Sequence, residues 1–210
     1  MTTFARPSRT PRQITRRDSR RRAFTLIEAT VAILITSMAC SALMLSLTSA
    51  TTTTDDAVRR YMANGIAQTM LDEITGMRYM ELGGSPYDSG LAAGSDEQSG
   101  TGRSIYDDLD DYSTITNQPP KDRNGQTLGN ENGDTTARDP NFRVSASTMA
   151  RWSVQTECFY VNEGAFLTPL ANTAGTNYRT IRVTVKFVPQ TGSAITLSQL
   201  TRTFAYIPEP

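Results

Sequence analysis

A long apolar run near the N-terminus constrains this chain more than any other feature. Between Phe24 and Leu47 the only formally charged side chain is Glu28. At ~1.5 Å rise per residue, a helix of this length just spans the ~30 Å hydrocarbon core of a bilayer. Three consecutive arginines, at 20–22, precede the run, and basic residues favour the cytoplasmic side. The pattern therefore predicts one membrane-spanning helix, with everything after Leu47 across the membrane.

The carboxylate of Glu28 is the anomaly in this run. An acid in a membrane helix costs about 2.5–3.5 kcal/mol at the centre and less near the interface, and it indicates a function with a partner group. An ordinary signal anchor, in which Glu28 snorkels to the interface, is one alternative. A cleaved secretory signal would have an apolar region of ~7–15 residues, which is shorter than this run.

The six residues at 23–28, Ala-Phe-Thr-Leu-Ile-Glu, resemble the processing motif of type IV prepilins and of the pseudopilins of type II secretion systems. The resemblance implies cleavage between Ala23 and Phe24 by a prepilin peptidase, and N-methylation of Phe24. It also implies that Glu28 pairs with the N-terminal ammonium of a neighbouring subunit. Neither charge is tolerable alone in an apolar filament core, so the pair would set the register of assembly.

The same resemblance implies a pilin-like α+β fold, in which a long N-terminal helix packs on a small antiparallel sheet of three to four strands. The implied function is that of a non-enzymatic subunit, a minor pilin or pseudopilin of a type IV pilus or a type II secretion pseudopilus. The implied partners are the prepilin peptidase/methyltransferase, other pilins or pseudopilins, the inner-membrane assembly platform and membrane lipid. The implied location is the inner (cytoplasmic) membrane as a single-pass protein, with the C-terminal domain extracytoplasmic, and a filament after assembly.

Charge and composition bear on the other function classes. Residues before Phe24 sum to +7, and because the formal net charge of the chain is zero, the remainder sums to −7. An acidic exported part argues against nucleic-acid binding by the domain itself, since phosphates would be repelled. The sequence contains no histidine, which removes His-dependent triads and His metal sites. We therefore do not expect this protein to be an enzyme. The main alternative to a pilin is an anchored binding or sensor protein whose membrane span is not cleaved.

The chain divides into five parts by composition and periodicity. After the threonine-rich segment at 48–54, apolar residues recur at helical spacing and form one apolar stripe, which predicts an amphipathic half that packs on the exported domain. The stripe consists of Val58, Met62, Ile66, Met70, Ile74 and Met77. We expect the helix to be continuous through the threonines and to end near Leu82, before a Gly-Gly pair. The predicted parts are a basic leader (1–23, removed), the spanning or filament-core half of the helix (24–54), its amphipathic half (55–82), a Gly/Asp-rich connecting region (83–141) and an antiparallel sheet (142–210).

The connecting region contains a dense group of carboxylates, and it contains no EF-hand spacing. Calcium takes oxygen ligands readily, so a calcium site and a solvated acidic loop both remain open, and no other cofactor is expected. The candidate ligands are Asp107, Asp108, Asp110 and Asp111.

Alternating apolar residues predict the strands of the sheet. We expect a short strand at 142–146, a better-defined strand at 152–160 and the clearest one at 181–187. A turn then leads to an antiparallel partner at 195–207. The two cysteines, Cys40 and Cys158, lie in distant segments and are not expected to pair.

Overall fold

The computed structural model describes residues 25–95, 97, 102–132, 134 and 136–208. The predicted leader, and with it the predicted cleavage pair Ala23 and Phe24, lies outside these residues. The chain forms two compact units, which divide between Thr51 and Thr52. The fold is of the α+β class, with a long apolar N-terminal helix and one antiparallel sheet.

The first helix, α1, spans Leu26–Thr75. Its apolar part contains serines and threonines whose hydroxyls donate to backbone carbonyls of the preceding turn, as Ser41 does to Ser37 at 2.9 Å. These bonds satisfy polar groups that would otherwise be costly in an apolar environment. The bounds of α1 include the threonine segment at 48–54, so the prediction of helical continuity there is confirmed.

The helix ends earlier than the predicted Leu82. Gly76 follows directly after Thr75, and glycine disfavours continuation of a helix because it loses the most backbone entropy there. The backbone N–H of Arg78 then donates to the carbonyl of Asp107 at 3.1 Å. This contact, part of an isolated β-bridge between Arg78 and Asp108, holds the segment after Thr75 against the connecting region.

The second unit contains the core. The C-terminal half of α1 buries Ile66, Met70 and Ile74, three members of the predicted apolar stripe. Of the other members, Met62 and Met77 are partly buried against the same core, whereas Val58 is 53% exposed. The stripe therefore belongs to the core over its central part.

The sheet has four antiparallel strands in the order β1-β2-β3-β4. Val154 pairs with Val185, and Val183 pairs with Leu200, so the inward-facing residues of the three long strands form one layer. The strands predicted near 152–160, 181–187 and 195–207 are confirmed, and a two-residue edge strand was not predicted. The strand bounds are Thr116–Asn117 (β1), Trp152–Tyr160 (β2), Tyr178–Phe187 (β3) and Ile195–Ala205 (β4).

The prediction of a strand at 142–146 is wrong. The chain instead forms a 3-10 helix at Pro140–Phe142 and a short α-helix, α2, at Ala146–Met149. The side chain of Asp139 accepts a hydrogen bond from the backbone of Asn141, and Ser145 caps α2 in the same way. Local capping by Asp and Ser therefore outweighs a weak alternation of apolar residues.

Candidate functional site

The first turn of α1 contains the residue on which the family resemblance depends. The hydroxyl and the backbone N–H of Thr25 each donate to Oε2 of Glu28, both at 3.3 Å. In return, the backbone N–H of Glu28 donates to Oγ1 of Thr25 at 3.3 Å. This reciprocal arrangement is a capping box, which satisfies helix N–H groups that have no intrahelical acceptor. The Thr-x-x-Glu spacing is the sequence signal of such a box.

The carboxylate of Glu28 remains open to a further partner. The side chain is exposed, and its bonds to Thr25 lie at the long end of the range for hydrogen bonds. A carboxylate has about four acceptor positions, so the capping box leaves capacity for a stronger, charge-assisted bond. Among the described residues no cation forms an ion pair with Glu28.

The apolar side chains of the first unit lie on the surface of this single chain. Leu26 is 85% exposed, and Leu43 and Leu45 are exposed to 70% and 73%. The helix is long and apolar enough to cross a membrane, and its most apolar window has no buried residue. Apolar surface of this extent requires cover by lipid or by other protein chains. The finding is compatible with single-pass anchoring.

The acidic residues of the connecting region have partners within the second unit. Asp107 forms an ion pair with Arg78 at 2.8 Å, in which both side chains are about half exposed. Asp110 forms one with Arg179 at 2.9 Å, in which the arginine side chain is 1% exposed. These two carboxylates therefore hold the connecting region to the segment after α1 and to β3.

Asp108 and Asp111 are buried and bind backbone N–H groups of their own loop. Oδ1 of Asp108 accepts from the N–H of Asp110 at 2.9 Å, and Oδ2 of Asp111 accepts from the N–H of Asp107 at 2.9 Å. Desolvation by burial, together with the hydrogen bond and charge of Asp110, raises the pKa of Asp108 to about 8. The loop is thus packed rather than solvated at these two residues.

The four aspartates do not converge on one point. Carboxylate oxygens of Asp107 and Asp111 instead approach that of Glu97, with all three within 4.8 Å of one another. Glu97 was not among the candidate ligands. Calcium binding by the Asp-rich segment stays a prediction.

Arg179 is the centre of a buried network that the sequence did not predict. Its guanidinium donates to the carbonyl of Tyr79 at 2.7 Å and to the hydroxyl of Tyr160 at 3.1 Å, besides its bond to Asp110. It also lies over the rings of both tyrosines, at 4.7 and 5.3 Å from their centroids. The network fixes the segment after α1 to the sheet, and this gives Arg179 a structural role.

Comparisons of the chain with protein-family models, with curated proteins and with solved structures gave no match. The functional assignment therefore depends on the residues and on the fold alone.

Proposed function

We propose that this protein is a non-enzymatic subunit, a minor pilin or pseudopilin, of a type IV pilus or a type II secretion pseudopilus. It would be processed by a prepilin peptidase and assembled through its apolar N-terminal helix. The observation that supports this proposal most directly is the position of Glu28, an exposed acid at the start of a helix whose N-terminal apolar side chains, those of the first unit, have no cover in the single chain. In a filament of such helices, neighbouring subunits would cover the apolar surface. They would also supply the positive charge that pairs with Glu28.

The chemistry of the site follows from cleavage after Ala23. Cleavage creates an ammonium at Phe24, which needs a counter-charge once it enters an apolar filament core. The carboxylate of Glu28 in a neighbouring subunit can accept a charge-assisted hydrogen bond from it. Subunits then stack in the register that brings the ammonium of one chain to the Glu28 carboxylate of its neighbour.

A single-pass anchored binding or sensor protein is the alternative, because an uncleaved span requires the same apolar helix. The two proposals differ in the N-terminus of the mature protein. The pilin proposal requires a chain that starts at methylated Phe24, and the anchor requires a chain that keeps its leader.

Mass spectrometry of the protein from membranes and from sheared filaments tests the proposal. We expect a mature mass that starts at N-methylated Phe24. Ala23→Leu should leave full-length precursor in the membrane, because a bulky residue precedes the cut bond, whereas the matched control Ala23→Gly should be processed normally. Isolation of the native protein with its leader intact, and its absence from any filament fraction, would refute the proposal.

A further inference from the structure

A basic pocket lies at one end of the sheet in the second unit. Its volume is about 370 Å³, and its walls include Arg59 of α1, Arg151 just before β2, Phe187 at the end of β3 and Gln190. None of the described residues that line it is acidic. All of its walls belong to the second unit.

Two guanidinium groups share the ring of Phe187 in this pocket. The Cζ atoms of Arg151 and Arg59 lie 4.5 and 5.0 Å from the ring centroid, so the two cations are at most 9.5 Å apart, the sum of these distances. Like charges at such a separation repel each other, and an anion bound in the pocket that both arginines line would offset the repulsion. The site therefore favours an anionic ligand.

The backbone of Val188 holds Arg151 in place. Its carbonyl accepts from Nε of Arg151 at 2.9 Å, and its N–H donates to the carbonyl of Arg151 at 2.8 Å. The terminal nitrogens of Arg151 have no hydrogen-bond acceptor within the part of the chain that the structure describes. Within the described ranges, Arg59 forms one ion pair, a long one with Asp56 at 3.7 Å. Donors suited to a carboxylate are thus positioned and available.

The opposite end of the same sheet is acidic. Strand β2 runs for nine residues from Trp152 to Tyr160, a length of ~30 Å, and Glu163 follows its far end. The hydroxyl of Tyr160 donates to the carbonyl of Asp88 at 2.9 Å, which places Asp88 at that end too. Glu81 lies there as well, because it shares a small cavity with Asp88. All three acids are exposed, and none of the ion pairs among the described residues includes them.

We propose that the pocket of Arg59 and Arg151 binds a carboxylate from the acidic end of a second copy of this chain, so that exported domains associate head to tail. The acidic end is defined by Glu81, Asp88 and Glu163. An interface between two different ends of the molecule is heterologous, and repetition of it builds an open helical assembly rather than a closed dimer. This inference rests on the proposed function, and it adds a contact between exported domains to the contact made by the helices.

Variants with reversed charges test the pocket in the full-length protein. The quantity measured is the amount of subunit in sheared filaments. Arg151→Glu should reduce that amount at least about fivefold, since an attraction across the interface becomes a repulsion. Reversal of the three acids to lysine should have the same effect, and the combination of both changes should restore incorporation. The matched control is Arg60→Glu, which makes the same charge change at an exposed neighbour outside the pocket. Fluorescence of the single, buried Trp152 shows that each variant is folded.

Cross-linking gives a second measurement that leaves the charges intact. In a Cys40→Ala background, Gln190→Cys and Asn162→Cys place one thiol at each end of the sheet. Burial raises the pKa of the Cys158 thiol to about 12, so this residue should not react. We expect a short bis-maleimide to give a ladder of multimers only when both new cysteines are in the same chain.

Several results would overturn the pocket assignment. Normal incorporation of Arg151→Glu, dimers from Gln190→Cys alone, or no ladder in filaments that contain the double variant would each do so. Binding of phosphatidylglycerol vesicles or of inorganic phosphate that needs Arg59 and Arg151, in the absence of a ladder, would assign the pocket to those anions instead. The N-terminal mass in the same preparations separates the two proposals: an unprocessed native chain refutes the proposed function, whereas a processed native chain with these results refutes only the pocket.

Discussion

Arg103 donates two hydrogen bonds to the carboxylate of Glu73, from Nε to Oε1 at 2.9 Å and from Nη2 to Oε2 at 2.8 Å. The two side chains are only 5% and 12% exposed. Tyr112 donates to the same Oε1 at 2.9 Å. The pair joins α1 to the connecting region, and removal of one partner would leave the other charge buried without compensation.

We therefore predict that Arg103→Met lowers the free energy of unfolding of the second unit by about 3–5 kcal/mol. Arg78→Met, which breaks the half-exposed pair with Asp107, should cost about 1 kcal/mol or less. Urea unfolding followed by the fluorescence of Trp152 measures both changes. Equal losses of unfolding free energy in the two variants would contradict the larger cost predicted for breaking the buried pair of Arg103 and Glu73.

The long strands could be predicted from the alternation of apolar and polar residues along them, which is strict at 181–187. In β3 the inward residues, such as Val183 and Val185, are fully buried, and their neighbours in sequence face outward. The pair of Glu73 and Arg103 could not be predicted, because nothing in a periodic pattern links a helix residue to one in an aperiodic loop.

The connecting region shows the same limit. Leu91, Leu109 and Tyr112 are buried in the core, but their spacing matches neither a helix nor a strand. The abundance of Gly, Asp and Asn left a solvated acidic loop open as one alternative, whereas Asp108 and Asp111 are packed inside the connecting region. Carboxylates that bind the backbone of their own loop are compatible with burial, and composition alone does not distinguish them from exposed ones.

The candidate site was predictable in part. Glu28 follows from its isolation in the apolar run, and the Thr25 spacing was readable as a capping box. The partner charge proposed for Glu28 is the N-terminal ammonium of another copy of the chain, which only cleavage of that copy would create. The contacts within one chain cannot reveal such an intermolecular pair. It can be predicted only through the resemblance of the motif to a known family.

A fragment that begins at Asp55 should be soluble without detergent and should keep Trp152 buried. The second unit begins at Thr52 and contains the whole buried core, whereas the apolar side chains of the first unit are exposed. Gel filtration and the fluorescence maximum of Trp152 measure the outcome, with the full chain as the control that requires detergent. Aggregation of the fragment with an exposed tryptophan would show that the core extends into the first unit.

Acidification should stabilise the second unit through Asp108. The pKa of this carboxyl is raised to about 8 in the folded state, chiefly by burial, from about 3.9 in an unfolded chain. The folded state therefore binds the extra proton between these values, and its contribution to stability is complete below about pH 4 and is lost as the pH rises through 8. The melting temperature should fall between pH 5 and pH 8, and Asp108→Asn should flatten this dependence.

The control for that experiment is Asp88→Asn, which changes an exposed carboxyl. Its melting temperature should depend on pH as that of the native protein does. A native protein that becomes more stable from pH 5 to pH 8, or an Asp108→Asn variant with an unchanged slope, would contradict the protonation of Asp108 in the folded state.

The two roles open to Glu28, helix cap and charge partner, can be separated by a pair of variants. Glu28→Val removes both roles, and Thr25→Val removes the hydroxyl of the capping box but keeps the carboxylate. Loss of a cap costs about 1 kcal/mol, whereas an ammonium left without its partner in an apolar core costs about 3–5 kcal/mol. We predict that both variants are cleaved, that Glu28→Val is reduced at least about tenfold in sheared filaments, and that Thr25→Val is incorporated close to the native level. Mass spectrometry of the N-terminus and immunoblots of the filament fraction measure these outcomes, and an equal loss in both variants would mean that Glu28 acts through the helix cap and not through a neighbouring subunit.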